Sequence, residues 1–130
     1  MDYVKWTQNQ LGIKFPKVYM EFINSEYINN NSIFINDEMI KIRKFLSTRI
    51  SDKENIINEY RENESLMLEG VVPIAVTEYE DYICLYYNDH RELEPRVILW
   101  CYELAVEDIY EAMFEVANSV EEFIKMLIRK

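Results

Sequence analysis

Three sets of residues in this sequence are of types that do chemistry. The first is Asp89-His90. An aspartate beside a histidine can hold an imidazole as a general base, which then needs a nucleophile within reach. No nucleophile motif surrounds His90, the only histidine, and its neighbours are charged, so a solvated loop histidine is the simpler expectation. The second set is Glu78, Glu80 and Asp81, three carboxylates in the five-residue link Thr77 to Asp81. They could be drawn as a hard-metal site, but no glycine-containing calcium loop frames them, and solvated turn acids are expected instead. The third set is Cys84 and Cys101, the two cysteines. Each lies in an apolar run, their spacing is not that of a zinc site, and both are expected to be reduced core thiols. The chain has two glycines, Gly12 and Gly70, so no glycine-rich phosphate loop exists. HExxH, CxxC and GxSxG are absent. These observations point away from an enzyme and call for no cofactor and no metal.

Tyrosines are the other resource. Tyr79, Tyr82, Tyr86, Tyr87 and Tyr102 gather around apolar runs, and tyrosine suits an interface because it joins a large area to a polar tip. The alternative is that they merely border the core. Charge adds a direction. The net charge is −10, and residues 71–130, with five basic and thirteen acidic groups, hold −8 of it. Such a surface repels nucleic acid, whose binding requires cations on the protein. It attracts a basic partner and speeds the encounter. It also keeps a protein soluble, which needs no partner at all.

The elements that must position these residues follow from periodicity. At 130 residues the chain is one domain, large enough to bury roughly two-thirds of its unfolded surface. Val71 to Val76 and Tyr82 to Tyr87 are rich in β-branched and aromatic residues and read as adjacent strands around the acidic link. Arg96 to Glu103 reads as a third, after a charged hairpin loop from Asn88 to Pro95. Alternation puts Tyr82, Cys84 and Tyr86 on one face and Ile83, Leu85 and Tyr87 on the other, toward the helices. Helices are expected at Asp2 to Gln10, stopped by Gly12, and after Pro16, with Phe15, Tyr19, Phe22 and Ile23 on one face. Ile33 to Ile35 and Glu38 to Ile42 flank Asn36-Asp37 as a small hairpin. Arg43 to Arg49 is expected as a helical turn. Ser51 with Glu54 reads as a capping box opening a surface helix to Met67. Leu104 to Ala117 fits a helix, although Met113 to Ala117 also suits a strand. Ser119, with Glu122 three residues on, caps a helix whose apolar face is Val120, Phe123, Ile124, Leu127 and Ile128. The fold class is α+β: a mainly antiparallel sheet of about four to six strands, helices on one side and a C-terminal amphipathic helix. No apolar run approaches the ~18 residues of a membrane span, and Met1 to Trp6 does not open a signal peptide, so a cytoplasmic protein is expected.

The order of these segments resembles the SUKH superfamily, named in part for a fungal cell-wall-synthesis regulator. The resemblance runs over residues 11 to 128. It rests on Phe15-Pro16 with Tyr19 and Phe22, on Val72-Pro73-Ile74, and on Asp81-Tyr82-Ile83-Cys84-Leu85. Two further stretches are Pro95 to Glu103 around Trp100, and Ala117-Asn118-Ser119 leading into Phe123-Ile124. The chain departs from the family in three places. Asn24 to Tyr27 replaces an Asn-Gly-Gly step, Thr77 to Glu80 replaces glycines, and Tyr102 replaces a histidine. The resemblance implies a non-catalytic α+β protein, most often an immunity protein that binds and neutralises a toxin, frequently a nuclease. The alternative within the family is an intracellular regulatory scaffold of the cell-wall type. A nuclease toxin carries a basic cleft, so the expected partner is a cognate toxin with a basic surface, not nucleic acid and not a membrane. The residues expected to meet it are Glu78, Tyr79, Glu80 and Asp81, followed by Asp89, Glu92 and Glu94. The acids would supply charge complementarity and the tyrosine an anchor.

Overall fold

In the computed structural model, which describes residues 2–87 and 94–129, the helices are α1 (Tyr3–Leu11), α2 (Lys17–Ile23), α3 (Ile56–Asn63), α4 (Tyr102–Glu107) and α5 (Val120–Met126). The strands are β1 (Asn31–Ile35), β2 (Glu38–Phe45), β3 (Val71–Thr77), β4 (Tyr82–Tyr86), β5 (Arg96–Trp100), β6 (Met113–Ala117) and β7 (Ile128–Arg129). Among the described residues they form one sheet in the order β6-β5-β4-β3-β2-β1-β7, antiparallel throughout. The expected α+β class and antiparallel sheet are therefore present. Six strands are five or more residues long, and the two-residue β7 is an addition.

The first run around the acidic link becomes the middle strand, β3, and every one of its residues is buried. A proline in a central strand removes a ladder donor, which sheets tolerate at a bulge. Pro73 sits at one. Pairing shifts between Pro73 and Ala75, leaving Ile74 as the extra residue, and the Ile74 carbonyl accepts from Leu46 N at 2.8 Å. Gly70 opens the strand with φ 91, and a Cβ there would lie 2.2 Å from the Tyr87 carbonyl oxygen. Glycine is the residue that fits both the backbone angle and the approach.

Alternation assigns the faces as expected. Ile83, Leu85 and Tyr87 enter the larger core with Tyr19 and Phe123 from the helices and Phe15 from the segment before α2. Edge-on contacts run from Phe22 to Phe45 (5.1 Å) and from Phe45 to Phe123 (6.4 Å), tying α2 and α5 to β2. Removing one such ring costs about 3–5 kcal/mol. The opposite face has its own smaller cover. Val71, Cys84, Ile98 and Trp100 pack with Met67, Ala105 and Ala112, from the segments flanking β3 and following β5.

Several local expectations hold. Asp2 caps α1 by accepting from Lys5 N at 3.0 Å, and Gly12 ends it at φ 68. Ser119 Oγ accepts from Glu122 N at 3.1 Å. Asn36 and Asp37 both have positive φ, 52 and 64, the geometry of a two-residue hairpin turn. Others change. Arg43 to Phe45 continues β2 and does not turn helical, because β3 pairs with it. Helix α3 begins at Ile56 and not at Ser51: Asn55 Oδ1 accepts from Asn58 N at 2.8 Å, while Glu54 is drawn to Arg43. Leu104 to Ala117 divides into the rest of α4, a 3-10 turn at Ile109–Glu111 and β6. Helix α5 stops at Met126, and Ile128 pairs with Ser32.

Candidate functional site

The link between β3 and β4 is a tight, self-bonded turn. Thr77 is fully buried, and its hydroxyl oxygen accepts from the N–H groups of Tyr79 (3.2 Å) and Asp81 (3.3 Å). Thr77 N donates to the Asp81 carbonyl at 2.8 Å, and Glu80 N donates to the Thr77 carbonyl at 3.0 Å. Closing the turn places Glu80 at φ 64, left-handed backbone that disfavours a residue with a Cβ. The four candidate residues then point to different neighbours. Glu78 lies along β2, its N–H donating to the Lys41 carbonyl (2.9 Å) and its carboxylate accepting from Lys41 N (3.4 Å). Tyr79 is 58% exposed and donates from its hydroxyl to Glu38 (3.4 Å). The carboxylates of Glu78 and Glu38 raise its pKa, because ionising the phenol would add a third negative charge. Glu80 meets Arg43 at 3.3 Å. Arg43 is the extra residue where β2 and β3 shift register, and that bulge aims it at both Glu80 and Glu54 (2.7 Å).

Asp81 is different. It is half-buried, and burial raises its pKa, an effect opposed by a hydrogen bond from the Cys101 thiol. The Cys101 thiol is itself pushed up to about 11, by burial and by the Asp81 charge. No basic group within ion-pairing distance meets Asp81 among the described residues. It lies in a cleft of about 650 Å³ between the turn and the start of α4, with Tyr79, Tyr82, Tyr102 and Glu103 on its walls. Trp100 sets these walls from below, its ring 5.7 Å from Tyr82 and 6.2 Å from Tyr102. The Tyr82 hydroxyl donates to Glu59 (3.1 Å) and accepts weakly from Asn63 (3.5 Å), which fixes the back of the cleft. A second, shallower groove of about 350 Å³ lies on the other side of the turn. It is lined by Ile35, Ile40, Leu99 and Phe114 and shares Tyr79 and Asp81 with the first.

The candidate residues that the structure describes do not form one patch. Tyr82 pairs with Trp100 and Tyr86 with Arg96, so the acidic turn lies at one end of β4 and Glu94 beyond the other. About 13 Å of strand separates those ends. Asp89 and Glu92 lie outside the described residues, as does His90 with its proposed base role. The structure instead brings Tyr102 and Glu103 to the turn. Glu103 was missed, although a signal existed: in an antiparallel meander the end of β5 must return beside the β3–β4 turn. Cys84 is buried as expected, but Cys101 is only partly covered and lines the cleft. Among the described residues no three His, Cys, Asp or Glu side chains are placed to hold a metal. No helix among them is long and apolar enough to cross a membrane.

The family model of the SMI1 / KNR4 family (SUKH-1) matches residues 2–126, nearly the whole chain. The chain belongs to that family. The match extends the resemblance over residues 11 to 128 back through α1. No curated protein and no solved structure matches the chain significantly. Membership in the SMI1 / KNR4 family supports, in general terms, a non-catalytic role of the immunity or cell-wall-regulator type, exercised through protein partners.

Proposed function

We propose that this chain is an immunity-type binding protein that neutralises a cognate toxin by occluding it, without a reaction and without a cofactor. One observation carries the reading. At the turn end of β4, exposed Tyr79 and Tyr102 stand beside Asp81 and Glu103, two carboxylates that no cation of the described chain meets. A large aromatic anchor next to unspent negative charge suits a basic protein surface such as that of a nuclease. In this reading Glu78, Tyr79, Glu80 and Asp81 make the central contact. Glu94, with Asp89 and Glu92, belongs to a second acidic region that steers the approach. The two free cysteines suit a reducing compartment, and the proposal places the encounter in the cytoplasm.

Co-purification tests it. The tagged chain, expressed with the product of the neighbouring gene, should retain that product and relieve its toxicity. A neighbour that neither binds nor is toxic overturns the proposal.

A further inference from the structure

We propose that the cleft between the β3–β4 turn and the start of α4 is a receptor for a single arginine side chain of the partner. The inference rests on the partner-binding reading and gives that partner a chemistry.

Charge is the first argument. The lining contains Glu80, Asp81 and Glu103 and no lysine or arginine. Glu80 is already met by Arg43, whereas Asp81 and Glu103 have no basic partner among the described residues. The nearest basic side chain along β5, Arg96, sits at the far end of that strand and pairs with Glu115. Two of the three carboxylates that line the cleft are thus uncompensated. Asp81 is also the half-buried member of the turn, and a carboxylate partly withdrawn from water gains more from an arriving cation than an exposed one does.

The walls give the second argument. Tyr79 (58% exposed) and Tyr102 (49% exposed) frame the mouth, and Tyr82 forms the back with its hydroxyl already engaged by Glu59. A planar guanidinium can stack on such faces while its fork of N–H groups reaches a carboxylate. A lysine ammonium is strongly hydrated and has one point of charge. The cleft volume, about 650 Å³, exceeds what a lone ion needs and admits a side chain with its backbone outside. A metal is a poor occupant, since no three ligating groups converge there among the described residues.

The test is a titration of the full chain with the blocked tripeptide acetyl-Gly-Arg-Gly-amide, followed by amide chemical shifts. The control is the same peptide with citrulline, which keeps the shape and loses the charge. Shifts confined to Asp81, Tyr82 and Cys101 to Leu104, weakened by salt and about tenfold weaker in Asp81→Asn, support the proposal. Equal binding of citrulline, shifts centred elsewhere, no shift at all, or an unchanged Asp81→Asn response overturns it. A thermal melt of Asp81→Asn guards against misfolding, and Glu103→Gln repeats the measurement should that variant unfold. The toxin reading fails separately: a peptide that binds the cleft in a chain with no toxic neighbour sinks the immunity role alone. A neighbour bound equally well by Asp81→Asn and Glu103→Gln sinks the arginine receptor alone.

Discussion

The β1–β2 and β3–β4 turns stand side by side at one end of the sheet, joined by Tyr79 to Glu38 and by Glu78 to Lys41. Both need left-handed backbone. The first supplies it with Asn36 and Asp37, residues that tolerate positive φ because their short polar side chains bond locally. The second supplies it with Glu80, a residue that does not. It is also where the SUKH resemblance leads one to expect glycine. The first turn is therefore relaxed, and the second holds a charged side chain in a disfavoured conformation, stabilised by Thr77 from inside and Arg43 from outside. Strain of this kind persists where its surroundings over-determine it, and it gathers at binding sites. The pair thus separates a relaxed turn from a strained one.

The comparison can be broken at several points. Tyr79→Ala should weaken retention of the proposed toxin partner by more than about tenfold, as loss of an interface anchor does, while leaving the melting curve nearly unchanged. Binding and melting measured together check it. Thr77→Val should destabilise the fold by about 1–3 kcal/mol, because two turn N–H groups lose their shared acceptor, and denaturant unfolding reads this directly. Asn36→Ala and Glu80→Gly should then move in opposite directions. The first loses about 1 kcal/mol on forcing alanine into the left-handed region. The second gains about 0.5 kcal/mol on removing that strain, less the lost contact with Arg43. Two losses of equal size would end the distinction between the turns. Smallest is Glu54→Gln. Arg43 holds the Glu54 carboxyl below its ordinary value of 4.5, so the pair's contribution is whole above about pH 4.5 and fades as the pH falls through the lowered value. For so exposed a pair the loss is about 0.2–1 kcal/mol at pH 7. The gap between the two unfolding curves should close in acid.

Much of the fold is legible in the residues, and what is not has a physical reason. Strands β3, β4 and β5 are announced by β-branched and aromatic runs that only a sheet interior accommodates, and Ser119 with Glu122 announces α5 by local bonding alone. Helix α3 misleads because Ser51 and Glu54 have the form of a cap, yet Glu54 finds a partner eleven residues back, in a strand. Met113 to Ala117 fits two periodicities, and only pairing with β5 decides between them. The acidic turn was readable as a candidate from composition. That Glu94 would lie at the other end of β4, and Glu103 beside Asp81, depends on strand direction, which charge counting does not contain.

Because each strand from β1 to β6 lies beside its sequence neighbour, most of this sheet forms by closing short chain segments. Closure costs least at the two-residue β1–β2 turn and the four-residue β3–β4 turn, and most where 25 residues separate β2 from β3. The pairing of β7 with β1 is of another kind, since it joins Ile128 to Ser32 across about three-quarters of the chain and rests on two residues. Amide hydrogens should reflect this order. Those of β3 and β4 should exchange only on global unfolding, while those at the β1–β7 seam exchange through local opening.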